Sequence, residues 1–120
     1  MKTFIGREYT FSAAHWLPGL PEGHKCATLH GHTYKVEVVC SGELDGVGMI
    51  ADFTSIDGVV QPIMDALDHT TLNNFMPLDV PTVEVISKHL FHRIDTEMSS
   101  CRLESVKVWE GNKSWGMTAR

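Results

Sequence analysis

His30 and His32 flank a single glycine, and this spacing restricts the fold of the chain more than any other feature. Because consecutive side chains of an extended strand point to opposite faces, both imidazoles lie on the same face of a strand. A third histidine, His15, ends an earlier segment that also predicts a strand. Three imidazoles brought together in this way form a site for Zn²⁺ and leave its fourth tetrahedral position open. The alternative is that the three histidines make ordinary hydrogen bonds.

Cys26 lies four residues before His30 and directly after Lys25. A neighbouring cation favours the thiolate, the nucleophilic form of a cysteine, so Cys26 is the candidate catalytic thiol rather than an ordinary loop residue. Cys40 continues the apolar face of a predicted strand, and we expect both Cys40 and Cys101 to pack as small hydrophobic residues. Three cysteines without an evident export signal favour a cytoplasmic protein with reduced thiols.

Three further sets of polar residues are candidates for the same chemistry. His69 follows Asp68 at the end of a predicted helix, where it either complements the helix dipole or transfers a proton near the candidate thiol. Glu110 ends a strand on its apolar face, and it is either turned to water or accepts two N–H groups of a ligand. Thr82 and Glu84 open a second helix, where capping and a favourable charge by themselves explain both residues.

The composition predicts one compact domain over residues 1–120. The chain is 42% hydrophobic and 21% charged, which is typical of a globular protein. Its formal net charge of -5 and the lack of any run of Lys or Arg argue against a nucleic-acid partner. No apolar stretch is long enough to span a bilayer, so no membrane partner is expected. A chain of this length buries a modest core, and oligomerisation is a plausible further source of stability.

Hydrophobic periodicity predicts strands and helices in separate runs along the chain. The predicted order is β-β-α-α-β-β, over residues 3–14, 31–41, 55–67, 83–96, 102–110 and 114–119. In the first helix we expect Thr54 and Asp57 to form a capping box and Pro62 to introduce a kink. Runs of strands separated from runs of helices predict an α+β fold, with both helices on one face of an antiparallel sheet.

Together these residues resemble the 6-pyruvoyltetrahydropterin synthase family. The similar elements, in chain order, are His15, Cys26-x3-His30-Gly31-His32, Asp68-His69, Pro81-Thr82-x-Glu84 and Trp109-Glu110. They extend over essentially the whole chain, with family-like spacing. The three residues between Cys26 and His30, and the segment 21–26, resemble the bacterial branch of the family, which forms 6-carboxy-5,6,7,8-tetrahydropterin in queuosine biosynthesis.

The resemblance implies the tunnelling fold (T-fold), in which the sheets of neighbouring subunits join into an oligomeric barrel. Such assemblies are homo-oligomers, trimers or stacked trimers forming a hexamer, with active sites between subunits. The implied cofactor is Zn²⁺, and the implied substrate is 7,8-dihydroneopterin triphosphate. The implied products are 6-carboxy-5,6,7,8-tetrahydropterin, acetaldehyde and triphosphate.

The resemblance also implies a role for each candidate residue. The metal ligands would be His15, His30 and His32, and the catalytic residues Cys26, Asp68 and His69. Glu110 would hold the pterin ring, with Thr82 and Glu84 lining its pocket. Lys25, His24 and Arg7 are candidate contacts for the phosphates.

Three alternative functions remain open from the sequence. The first is the sister activity, which ends at the pyruvoyl product without carbon–carbon cleavage. The second is a non-catalytic, zinc-stabilised pterin- or nucleotide-binding module, although such a module has no need of a thiol and an imidazole. The third is a zinc hydrolase, which is disfavoured because no Glu base of the His-Glu-x-x-His kind accompanies the ligands.

Overall fold

The computed structural model describes residues 1–75, 78 and 80–120. Four antiparallel strands form one sheet in the order β1-β2-β3-β4. They are β1 (Phe4–His15), β2 (His30–Ser41), β3 (Arg102–Glu110) and β4 (Ser114–Ala119). Two helices, α1 (Phe53–Leu67) and α2 (Val83–Glu97), lie between β2 and β3 in the chain. Within the described residues, no helix is long and apolar enough to cross a membrane.

The predicted order of elements and the α+β architecture are confirmed, and most predicted boundaries agree to within one residue. Helix α1 begins two residues earlier than predicted, because its N-cap is Asp52, whose carboxylate accepts the Thr54 backbone N–H at 2.8 Å. The predicted capping box of Thr54 and Asp57 is therefore wrong. Pro62 lies inside α1, and the helix continues past it to Leu67.

One face of the sheet forms the hydrophobic core with both helices. Helix α1 packs against β1, and α2 packs against β3 and β4. Alternate residues of the strands point into this core, and the buried ones include Phe11, Tyr34, Val36, Val106 and Val108. Each fully buried apolar side chain of this kind contributes about 1.5–3 kcal/mol to folding. His15 continues the same face and is only 1% exposed, so the histidines lie at the end of the core.

Arg7 lies at the other end of β1 from His15 and is engaged by α1. Its guanidinium donates two hydrogen bonds to the Asp57 carboxylate, at 3.1 and 3.0 Å, and the Tyr9 hydroxyl donates a third at 2.6 Å. The Arg7 guanidinium, followed by the Tyr9 hydroxyl, lowers the pKa of Asp57. At the rise of an extended strand, Arg7 is about 26 Å from His15. Arg7 is therefore too far away to contact phosphate at the histidine end of its own chain.

The first turn of α2 lies directly on β4 at Gly116. A Cβ atom built at Gly116 would meet the Glu84 backbone nitrogen and the Val83 carbonyl carbon at 3.0 Å. These are backbone atoms of a helix, which cannot rotate away as the end of a flexible side chain does. Because glycine has no side chain, Gly116 allows α2 to pack this closely on the sheet.

Gly116→Ala is expected to lower the free energy of unfolding by about 1–3 kcal/mol, because the added methyl group overpacks this contact. Gly58→Ala is the matched control, since Gly58 lies within α1 and a Cβ there would meet no atom within 4 Å. The control should stabilise the protein by about 0.4–1 kcal/mol. Chemical denaturation of both variants measures the difference, and equal stability of the two would contradict the close-packing interpretation.

Candidate metal centre and adjoining clefts

The register of β1 and β2 brings the three predicted ligands together. His15 pairs with His30 across the two strands, and Ala13 pairs with His32. The side chains of all three histidines point to the helix-covered face, and their ligand nitrogens lie within 4.8 Å of one another. His15 is buried, whereas His30 and His32 are partly exposed. Alternation along the strands thus produces the cluster that the sequence predicts.

Two of the rings are oriented by backbone carbonyls. His15 Nδ1 lies 2.8 Å from the Pro81 oxygen, and His30 Nδ1 lies 2.6 Å from the Thr28 oxygen. Because a carbonyl oxygen only accepts, each Nδ1 donates, and the Nε2 of each neutral ring is left with a free lone pair. Carbonyl partners of this kind orient metal-binding histidines and fix their tautomer.

The free Nε2 atoms of His15 and His30 lie 3.0 Å apart. Two lone pairs at this distance repel each other unless a proton or a metal ion lies between them. Tetrahedral Zn²⁺ with bonds of about 2.0–2.1 Å would place two such nitrogens about 3.3 Å apart, close to the observed spacing. The geometry therefore suits a metal ion with little movement of either ring.

His32 supplies the third nitrogen, and that nitrogen lacks a partner. Its Nε2 is buried and makes no hydrogen bond to any described residue, although Glu110 Oε1 lies 3.2 Å away in an unfavourable direction. Burial lowers the pKa of His32, the Glu110 carboxylate opposes this effect, and the two neighbouring imidazoles add to it. A buried nitrogen without a partner is costly, and a metal ion among the three rings would satisfy it. The donor set therefore fits Zn²⁺.

A cleft of about 330 Å³ adjoins the histidines and contains several of the other candidate residues. Its lining consists of Lys25, Cys26, His30, His32 and Glu110. The thiol, an ammonium group and a carboxylate therefore share one space with two of the predicted metal ligands. This combination can hold a polar ligand at the carboxylate and exchange a proton with it at the thiol.

The backbone of Cys26 is held from both sides. Its N–H donates to His24 Nδ1 at 3.0 Å, and its carbonyl oxygen accepts the Leu17 N–H at 2.8 Å. The structure places His24 Nδ1 against the loop that carries the thiol, and contact of His24 with a substrate stays a prediction. The sequence gives no signal for this contact, because a histidine two residues before a cysteine has no preferred partner.

His69, which follows Asp68, lines a different cleft of the same chain. Asp68 Oδ2 accepts a hydrogen bond from His69 Nδ1 at 2.7 Å, which orients the His69 ring. The Ser12 backbone N–H, followed by the His69 ring, lowers the pKa of Asp68. His69 borders a space of about 560 Å³, which is lined partly by residues of the helix-free face such as Gly31 and Thr33. His32 also lines this space, but Cys26 does not.

Thr82 and Glu84 do not line the cleft of Cys26. The Thr82 hydroxyl accepts the Val85 N–H at 3.2 Å and caps α2. Glu84 lies exposed in the first turn of that helix. The capping interpretation thus accounts for Thr82 in this chain, and a role of either residue in binding a ligand stays a prediction.

Similarity to known proteins extends over nearly the whole chain. Residues 4–120 match the sequence profile of the family described as 6-pyruvoyl tetrahydropterin synthase. A 6-carboxy-5,6,7,8-tetrahydropterin synthase from a Synechocystis species is 38% identical over 112 residues, which cover 88% of this chain and 84% of that protein. A dihydroneopterin monophosphate aldolase from Pyrococcus furiosus is 35% identical over 114 residues, 94% of each protein. The structure of Caenorhabditis elegans 6-pyruvoyl tetrahydropterin synthase is similar with a TM-score of 0.88 and 25% identity, over 100% of this chain and 96% of that one.

Zn²⁺ at about a hundredfold excess over its dissociation constant should add about 2.7 kcal/mol to the free energy of unfolding. His30→Gln removes one of the three ligands and should lose most of this stabilisation. Thermal unfolding with Zn²⁺ and with a chelator measures the effect. His92→Gln is the matched control, because His92 is exposed on α2 and lies outside the cluster. An undiminished response to Zn²⁺ in His30→Gln would refute the assignment of the ligand.

Proposed function

Because the chain belongs to the 6-pyruvoyl tetrahydropterin synthase family, we propose that it is a zinc-dependent 6-carboxy-5,6,7,8-tetrahydropterin synthase. In this reaction 7,8-dihydroneopterin triphosphate and one water give 6-carboxy-5,6,7,8-tetrahydropterin, acetaldehyde and triphosphate. The expected setting is queuosine biosynthesis in the cytoplasm. The observation that carries the proposal is the cleft in which Cys26, Lys25 and Glu110 adjoin two of the clustered histidines.

Glu110 is the proposed anchor for the pterin ring. Its carboxylate offers two acceptor oxygens at the mouth of the cleft, and the amino-pyrimidinone edge of a pterin presents two N–H donors with matching spacing. Thr82 and Glu84, at the N-terminus of α2, do not line this cleft in their own chain and are proposed to line the pterin pocket of a neighbouring subunit. Lys25 is the cation that this cleft offers to the phosphate end of the substrate. His24, one residue before Lys25, is the second proposed contact on that loop.

His15, His30 and His32 would hold Zn²⁺, which lowers the pKa of a bound hydroxyl and stabilises negative charge that develops on oxygen. Cys26 lies in the adjoining cleft and would remove a proton from the substrate side chain as its thiolate. His69, oriented by Asp68, would deliver a proton on the opposite side. Proton movement along the side chain then permits loss of triphosphate as leaving group. Water would then add to the carbonyl carbon attached to the ring, and the bond between the two carbonyl carbons would break. Protonation of the two-carbon fragment gives acetaldehyde and leaves the carboxylate on the pterin.

The separation of Cys26 from His69 supports an active site shared between subunits. The two residues line different clefts of one chain, and the His69 side chain is 83% exposed. We propose that His69 of one subunit faces Cys26 of a neighbour, in a trimer or a hexamer of stacked trimers. The edge strand β4 and most of the free edge of β1 would pair between subunits, which removes exposed sheet edges.

Two other reactions fit the same cleft and differ in their products. The pyruvoyl alternative stops after loss of triphosphate and releases no acetaldehyde. The similarity to a dihydroneopterin monophosphate aldolase favours a second candidate. That reaction would cleave the side chain of dihydroneopterin monophosphate into 6-hydroxymethyldihydropterin and glycolaldehyde phosphate, with the phosphate ester intact. A non-catalytic binding module would form none of these products.

Purified protein loaded with Zn²⁺ is expected to release acetaldehyde and a 6-carboxypterin from dihydroneopterin triphosphate, as read by mass spectrometry. Cys26→Ala should slow turnover by about 10²–10⁴-fold, because it removes a proton-transfer group. Cys101→Ala is the matched control and should react at the wild-type rate, since Cys101 lies against the core away from the cleft. A pyruvoylpterin without acetaldehyde, or turnover of the monophosphate alone, would refute the proposed reaction.

A shared active site predicts complementation between inactive chains. Homomeric Cys26→Ala and His69→Gln should each be nearly inactive. Randomly mixed assemblies of the two variants should recover about a quarter of wild-type activity, because that share of sites combines an intact Cys26 with an intact His69. Co-expression with two affinity tags provides the mixed assemblies. Hybrids no more active than the separate variants would place both residues in one chain's own site.

A further inference from the structure

The segment that carries Asp68 and His69 forms a short parallel ladder beside the end of β1. Asp68 Oδ1 accepts the Ser12 backbone N–H at 2.8 Å, and the Thr70 carbonyl oxygen accepts the Ala14 N–H at 2.9 Å. Ala14 and Thr71 form a parallel bridge. The ladder therefore satisfies alternate backbone groups of β1, on the edge opposite β2.

Asn73 completes this ladder with its side chain. Its Oδ1 accepts the Trp16 N–H at 3.0 Å, and its Nδ2 donates to the Trp16 carbonyl oxygen at 2.8 Å. A backbone N–H only donates and a carbonyl only accepts, so both bonds together require a side-chain amide in one orientation. Asn73 thus replaces a peptide group of a neighbouring strand at the point where β1 ends.

The ladder connects two parts of the proposed chemistry. Its first residue, Asp68, binds Ser12 with one carboxylate oxygen and His69 with the other. Its last contact holds Trp16, the residue directly after the buried ligand His15. The metal-binding end of β1 and the Asp68–His69 pair are consequently held in one register.

His69 needs such external support because its backbone is strained. Its φ of +59° lies in the left-handed region, which costs a non-glycine residue of order 1–2 kcal/mol. The His69 N–H donates to the Ser12 carbonyl oxygen at 2.6 Å, so β1 contributes to holding this conformation. A segment in a strained conformation persists only where the surrounding contacts determine it. Asn73 provides the last of those contacts on β1.

We propose that Asn73 is a positioning residue, which holds the Asp68–His69 pair in register with the metal-binding end of β1. The inference rests on the proposed function in one respect, the role of that pair in proton transfer. Asn73 acts through Trp16 and the ladder.

The test compares Asn73→Ala and Asn73→Asp in the assembled, Zn²⁺-loaded protein. Asn74→Ala is the matched control, because Asn74 lies exposed in the same turn and its side chain makes no hydrogen bond to any described residue. Nuclear magnetic resonance measures exchange of the Trp16 and Ala14 amides and the tautomer of the His69 ring. Zn²⁺ content and steady-state kinetics are measured on the same samples.

In Asn73→Ala, exchange of the Trp16 and Ala14 amides should accelerate about tenfold, as expected for loss of a hydrogen bond. The Nδ1–H tautomer of His69 should lose its dominance, with Zn²⁺ content unchanged. The kcat should fall about 10- to 100-fold with KM changed less than about twofold, since orientation is lost and binding is kept. Asn73→Asp keeps an acceptor for the Trp16 N–H and should restore protection of that amide.

The proposal is overturned if Asn73→Ala leaves both the His69 tautomer and the Ala14 amide exchange at wild-type values. It is also overturned if Asn74→Ala lowers kcat as much as Asn73→Ala. Neither resonance measurement needs a substrate. Failure of the proposed reaction would therefore appear in the product assay alone, and failure of the role of Asn73 in the resonance data.

Discussion

The antiparallel pairing of β1 with β2 is the constraint on which the rest of the structure depends. It places His15 opposite His30 and brings His32 beside them on the buried face. A slip of one residue would turn one strand's histidines to the opposite face and move its core residues into water. The same register therefore determines both the hydrophobic core and the geometry of the histidine cluster.

Backbone carbonyls supply the hydrogen-bond partners of two rings at the polar end of the core, and the Tyr34 hydroxyl also lies 3.2 Å from His15 Nδ1. Pro81 and Thr28 each contribute an oxygen to a histidine. The Pro81 carbonyl immediately precedes α2, whose approach to the sheet is set by Gly116. The packing of α2 on β4 therefore also positions the carbonyl group that orients His15, although Gly116 and His15 are distant in sequence. Burial of a histidine at this position is tolerated because its Nδ1 has a partner.

The sequence was sufficient for those features that depend on periodicity. Alternation of apolar residues and helical spacing predicted all six elements. The histidine cluster was also predictable, because side chains two residues apart in a strand must point to the same face of the sheet. The Thr54–Asp57 capping box was wrong, since a nearby Asp52 offers a better cap and Asp57 is drawn to Arg7. The separate clefts of Cys26 and His69, and the contacts through Pro81 and Asn73, were not predictable. They depend on how distant segments pack together in three dimensions and on contacts of backbone atoms, and neither leaves a pattern in the sequence.

The close approach of the His15 and His30 Nε2 atoms affects how a metal ion would bind to this site and leave it. Hydrogen bonds and strand pairing hold the two Nε2 atoms 3.0 Å apart in the folded chain, so contacts of the fold itself bring the donors together. A small zinc-dependent domain that unfolds without its metal behaves in the opposite way. A site arranged by the fold in this way would let a metal ion bind after folding and exchange without unfolding of the chain. The identity of the ion in a cell would then follow the supply of metals at the time of loading, as well as the preference of three imidazoles.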